Sequence, residues 1–229
     1  MKIENIVGGF TQCFDNTVVE RIVCEYEKGI CTVFFYDKSP KELHIGCDSY
    51  NSQYGIPISC DGSKLFIGAW AKGFGGLNKG IQAYEIESAS ALWRFNEGKI
   101  REIFVYPNYL IVSKALSNIF KIDINNGAVL DSIKSGTIES LYDLGFPYVL
   151  ANTISGKLSV VDVEKMLVVK KYSKKITNPS NYLCHVIRDV TLRDNVLLIS
   201  GFEDNPDYSA EFTAPNDFER VIDTDFYNI

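Results

Sequence analysis

Acidic residues recur in this chain at a nearly constant step. Glu85, Asp123 and Asp162 lie 38 and 39 residues apart, each after an alternating apolar run and before a turn. Extended outward, the series takes in Asp37 and Glu211. Five carboxylates at one repeat position could ring a cation. Their place beside turns points instead to backbone bonding, because Asp, Asn and Ser there accept hydrogen bonds from nearby amides and fix the turn. Acid–base chemistry needs two carboxylates in one pocket with separated pKa values. Asp61, Asp143, Asp189 and Asp194 flank predicted strands, but no spacing singles out a pair.

Other reactive groups are sparse. The two histidines, His44 and His185, stand in no ligand-spaced cluster, and no Gly-x-Ser-x-Gly elbow is present. They are expected to be hydrogen-bonded structural residues. The glycine-rich run 73–80 lacks the lysine–serine ending of a phosphate loop and precedes a strand, so it reads as a long loop. The six cysteines (13, 24, 31, 47, 60 and 184) contain no Cys-x-x-Cys pair and are expected to be free, mostly buried thiols. No catalytic residue, metal ligand or cofactor is expected.

Short sheet-forming runs must position whatever chemistry there is. Apolar, β-branched and aromatic segments alternate with turns throughout, and no segment shows helical periodicity. Four runs fill residues 6–45: 6–14, 18–26, 30–37 and 42–45. A second set includes the pair around Asp61-Gly62 and the strands Ile-Gln-Ala-Tyr-Glu-Ile-Glu and Ala-Leu-Trp-Arg-Phe. A third and a fourth follow, and a fifth ends in 210–214 and 218–222. Repeats of this length indicate stacked or radial units. Five four-stranded units predict an all-β fold, a five-bladed β-propeller of four-stranded antiparallel blades. The 229 residues then form a single domain, with blades near 1–46, 47–97, 98–135, 136–175 and 176–229.

The segment 82–95 resembles the repeats of PQQ-like and WD40-like propeller proteins. In the PQQ-like pattern an acidic residue is followed by a small-residue turn and, eight positions on, by tryptophan. Here these are Glu85, Ser88-Ala89 and Trp93. The next repeats keep Asp123 with Gly127, and Asp162, but place Asp131 and Lys170 where tryptophan would stand. The resemblance implies architecture, and a fold by itself does not imply a function.

Function is expected where the repeat is interrupted. In a four-stranded blade the connections from strand two to strand three open on the same face as those between blades. The inserts 71–80 and 202–210 and the inter-blade loops 46–55 and 173–184 therefore decorate one side. Long loops on a rigid scaffold commonly carry binding. Tyr50, Tyr54, Trp70, Lys72, Phe74 and Tyr208 offer anchors, and Glu203, Asp204 and Asp207 offer charge.

The net charge is −6, yet residues 203–225 hold eight acidic residues and one basic one. That balance disfavours nucleic acid and suits a basic protein partner in a 1:1 complex. The opening residues have neither a long apolar run nor a small-residue cleavage site, and no stretch is apolar enough to span a membrane. A cytoplasmic, non-enzymatic protein is therefore expected. In kind it is similar to bacterial immunity proteins that cap a cationic, nuclease-type toxin in contact-dependent competition. The alternative is a small propeller hydrolase or carbohydrate-binding protein with an axial site.

Overall fold

A computed structural model describes residues 2–6, 9–13, 18–25, 30–44, 58–68, 80–114, 118–153, 157–172, 184–194, 196–204 and 216–223. Every regular element among them is a strand, as the period-two patterning requires. Each strand pairs antiparallel with its neighbour in sequence, so each sheet is an up-and-down meander.

Sheet 1 holds β1 (Lys2–Ile6), β2 (Gly9–Cys13), β3 (Val19–Glu25), β4 (Ile30–Phe35) and β5 (Lys41–His44). Sheet 2 holds β6 (Ile58–Cys60), β7 (Lys64–Gly68), β8 (Ile81–Glu85) and β9 (Ser90–Phe95). Sheet 3 holds β10 (Ile100–Val105), β11 (Tyr109–Lys114), β12 (Asn118–Asp123) and β13 (Val129–Lys134). Sheet 4 holds β14 (Ile138–Asp143), β15 (Tyr148–Thr153), β16 (Leu158–Asp162) and β17 (Leu167–Lys171). Sheet 5 holds β18 (Cys184–Arg193), β19 (Val196–Asp204) and β20 (Asn216–Asp223). The chain divides into two compact units, Met1–Lys134 with sheets 1 to 3 and Ser135–Ile229 with sheets 4 and 5.

Burial explains the strand order. The second strands β7, β11 and β15 are buried on both faces along most of their length, which is why they read as unbroken apolar runs. The last strands β9 and β13 are largely exposed, and β17 is half-buried along its middle. Within the first unit one apolar cluster joins sheets 1 and 2 through Ile22, Val33, Leu43, Leu65 and Ile67. A second joins sheets 2 and 3 through Phe66, Ile81, Phe95, Leu110 and Phe120. In the second unit Leu150, Leu158 and Val160 pack against Ile187, Leu197 and Ile199. Each such side chain contributes roughly 1.5–3 kcal/mol by leaving water.

Three expectations are corrected. The run 6–14 is not one strand: Ile6 stands opposite Gly9, so the chain reverses there and sheet 1 has five strands. The expected fourth strand of the last set, 218–222, lies within β20, which pairs directly with β19 and so takes the third place; 210–214 lies outside the described residues. Finally, Cys24 and Cys31 are not free thiols. They stand opposite each other in the β3–β4 ladder and form a disulfide, with Cα atoms 4.4 Å apart. Cys60 is a free, buried thiol, as expected.

Candidate docking face at the ends of the second strands

The recurring carboxylates hold turns. Glu85, Asp123 and Asp162 end the third strands of sheets 2 to 4, opposite Lys64, Tyr109 and Tyr148 at the start of the second strands. Asp123 Oδ1 accepts hydrogen bonds from the backbone N–H of Asn125 (2.7 Å) and Asn126 (3.2 Å). Asp162 Oδ1 does the same for Glu164 (3.0 Å) and Lys165 (2.9 Å). Glu85 accepts instead from the Ser88 hydroxyl at 2.6 Å. Three of the other candidate acids are also engaged by neighbouring residues. Asp61 Oδ1 accepts from Ser63 N, Ser63 Oγ and Lys64 N, Asp143 from Gly145 N, and Asp189 from the Thr191 hydroxyl. A carboxylate whose lone pairs are used by its own turn is poorly placed for acid–base work. Among the described residues no three His, Cys, Asp or Glu side chains group as metal ligands would.

The ladder also shows which positions are equivalent. Ile86, Ile124 and Val163, each following the acidic residue, donate their backbone N–H to Ser63, Asn108 and Pro147, just before the second strands. In sheet 1 the same bond runs from Tyr36 to Val18. The equivalent of the acidic position is therefore Phe35, not Asp37. In sheet 5 it is Asp223, opposite Leu197 near the start of β19, not Glu211, which lies outside the described residues. The long connections after β5, β7 and β19 displace the outer repeats from the sequence count.

Trp93 links neighbouring sheets. Its indole N–H donates to Ile124 O at 3.1 Å, and its ring packs against Phe66. The bond carries sheet 2 onto the turn that Asp123 organises in sheet 3.

The opposite ends of the second strands have different chemistry. β7 ends at Gly68, β11 at Lys114, β15 at Thr153 and β19 at Asp204. The connections after β11 and β15 are short, whereas those after β7 and β19 run from 69 to 80 and from 205 to 215. Gly80 closes the first of these. Its φ is +80°, its N–H donates to Gly98 O at 2.7 Å, and a Cβ there would overlap the Phe95 carbonyl, so only glycine fits.

Glu203 and Asp204 lie within β19, not in the loop expected at 202–210. Glu203 stands between His185 and Asn216, and Asp204 is opposite Cys184. Two of the expected docking acids are thus at the last rungs of a ladder, on regular backbone. Tyr50, Tyr54, Trp70, Lys72, Phe74, Asp207 and Tyr208 lie outside the described residues.

One set of positions escaped the sequence reading. The fifth rung of the second strand is Gly68, Ser113 and Asn152 in sheets 2 to 4, with Cys24 and Gly201 at the corresponding ladder positions of sheets 1 and 5. All are buried and all are small or polar. Ser113 Oγ and Asn152 Oδ1 make no hydrogen bond. Ser113 and Asn152 are 39 residues apart, the same step as the acidic series, so the repeat contained this signal. Nearby in sheet 3, Lys114 runs over Gly98 and its ammonium meets Glu97 at 3.4 Å.

No family model and no curated protein matches the sequence. Solved structures match its fold. BamB from Moraxella catarrhalis aligns with a TM-score of 0.54 at 15% identity over 89% of this chain and 60% of BamB, so the chain spans well under two thirds of that protein. The computationally designed Ika8 protein aligns with a TM-score of 0.52 at 11% identity, over 87% of this chain and 67% of that one. The designed Ika4 protein gives 0.51 at 12% identity, over 74% and 92%. With BamB a β-propeller and the sheets antiparallel meanders, the fold is of propeller type. Identities this low carry the fold alone.

Proposed function

We propose that the chain is a non-enzymatic binding module of propeller type whose five sheets are its blades, and that it docks a basic protein at the end of β19. The observation that carries this reading is charge placement. Residues 203–225 hold eight acids against one base, and the run begins with Glu203 and Asp204 at the end of β19. Residues on a paired ladder have an ordered backbone, which lowers the ordering cost of an interface. In its most concrete form the partner is a cationic toxin domain of nuclease type, bound 1:1 and blocked sterically at its nucleic-acid groove. The use of Asp61 and Asp143 in their own turns, and of Asp189 by the Thr191 hydroxyl on the same strand, favours this over a hydrolase.

The test is recovery of the partner from the native host at low and moderate salt, followed by association kinetics. A stoichiometric basic protein is expected. The triple variant Glu203→Lys, Asp204→Lys, Asp207→Lys should slow association by about tenfold or more and flatten its salt dependence, as loss of electrostatic steering does. Failure to recover a basic partner, or an unchanged salt dependence, sinks the proposal.

A further inference from the structure

The disulfide in sheet 1 says something about where the molecule is made. Cys24 and Cys31 share one rung of the β3–β4 ladder. Their Cα separation of 4.4 Å matches the close, non-hydrogen-bonded type of antiparallel pair (about 4.5 Å), which brings the two Cβ atoms together. Both residues are fully buried, packed with Val19, Ile22, Val33, Phe35 and Leu43. The strand β5 covers the rung from the side, with Leu43 opposite Cys31.

We propose that Cys24 and Cys31 are oxidised while the β3–β4 hairpin forms, in an oxidising compartment, and that the completed sheet then seals the bond from thiols. The oxidant is a disulfide, carried by a protein oxidoreductase or a small molecule. One cysteine thiolate attacks it, forming a mixed disulfide and releasing one thiol. The second thiolate then attacks the sulfur of the first cysteine and releases the other thiol. Two electrons and two protons pass from the cysteine pair to the oxidant, which leaves as a dithiol or as two thiols. The order follows from geometry. The two cysteines are 7 apart in sequence, so a hairpin suffices to join them, whereas in the finished fold neither is accessible. The third cysteine of the same apolar cluster, Cys60, does not reshuffle the bond, because burial keeps its thiol protonated and an attacking thiolate is required.

Disulfides persist in oxidising compartments and are rare in reducing ones. The pair therefore places the working protein outside a reducing cytosol, against the cytoplasmic expectation from the sequence. This rests on sheet 1 alone and needs no partner, so docking of a basic protein can fail without it; only the nuclease-type form of that proposal, whose toxin acts in the cytosol, is at odds with it.

The experiment is a peptide map from cells that naturally make the chain, quenched in acid and alkylated under denaturing conditions. Trypsin cuts after Arg21, Lys28 and Lys38, so the bond links Ile22–Lys28 to Gly29–Lys38. The linked pair should dominate and vanish on reduction. Both cysteines alkylated in freshly quenched cells would overturn the proposal. Sealing is read on the native full chain: reductant alone should leave the linked pair intact, and reductant with denaturant should open it. Equal rates with and without denaturant overturn that part.

Discussion

Asp162 and Asp123 make the same pair of backbone hydrogen bonds in different surroundings. Asp162 is 1% exposed, and its ion pair with Lys165 at 3.5 Å has one well-solvated end, so the pair contributes little. The two amide bonds matter more, since removing this buried acceptor leaves two part-buried donors unmet. Asp162→Ala is expected to cost about 1–2 kcal/mol by urea unfolding, and Asp123→Ala about half that, because water can reach its turn. Equal costs would mean that burial does not decide the matter.

Cys60 supplies a pH dependence. Burial, with a smaller push from Asp61, raises its pKa from 9.0 to about 12 against a lowering hydrogen bond from Gly62. The folded state thus keeps the proton where the unfolded chain releases it. Its effect is absent below 9.0, and stability is lost as pH rises from there through about 12. Unfolding midpoints taken from about pH 8 to about pH 10 should fall, and Cys60→Ala should flatten that slope. An unchanged slope would assign the loss to other groups.

At the scale of the element, the strand that ends in an acid gains its value from what comes next. Gly127 sits in the Asp123 turn with φ +74°, and a Cβ there would lie 2.5 Å from Trp93 Cε3. Trp93 is the residue that reaches from sheet 2 to Ile124 of sheet 3. Gly127→Ala therefore imposes backbone strain and displaces the indole together. A loss of about 2–3 kcal/mol is expected, with a shift in tryptophan emission. Loss of stability with unchanged emission would leave only the backbone effect. Repeats with Asp131 or Lys170 in place of Trp93 have no such indole link. Strand existence was legible throughout sheets 2 to 4, because alternation is local. The split at Ile6–Gly9 and the placing of β20 were not, because a ladder partner is chosen by distant residues.

For the whole molecule, scaffold and docking surface obey different rules. The scaffold tolerates little: Gly80, Trp93 and the turn carboxylates each have one arrangement that fits. Glu203, Asp204 and Asp207 carry like charge, so their removal should not unfold the protein. The triple lysine variant at 203, 204 and 207 should retain the wild-type thermal midpoint to within a few degrees while losing its partner. A large fall in midpoint would make these acids structural. Of the expected docking residues, Glu203 and Asp204 are placed, and on a strand instead of a loop. The spacing of Ser113 and Asn152 repeats, but a polar residue in an apolar run gives no sign of its ladder neighbours.

The amino-acid order alone determined an all-β chain of repeated meanders, turns fixed by carboxylates, and an excess of acid toward the end. These follow from period, turn chemistry and charge, which act over a few residues. Only the tertiary structure decided that Phe35 and Asp223 hold the outer places of the repeat position, that Cys24 faces Cys31, and that Trp93 bonds Ile124. Register and burial set those pairings. Both depend on residues far apart in the chain whose meeting is selected by packing across whole sheets.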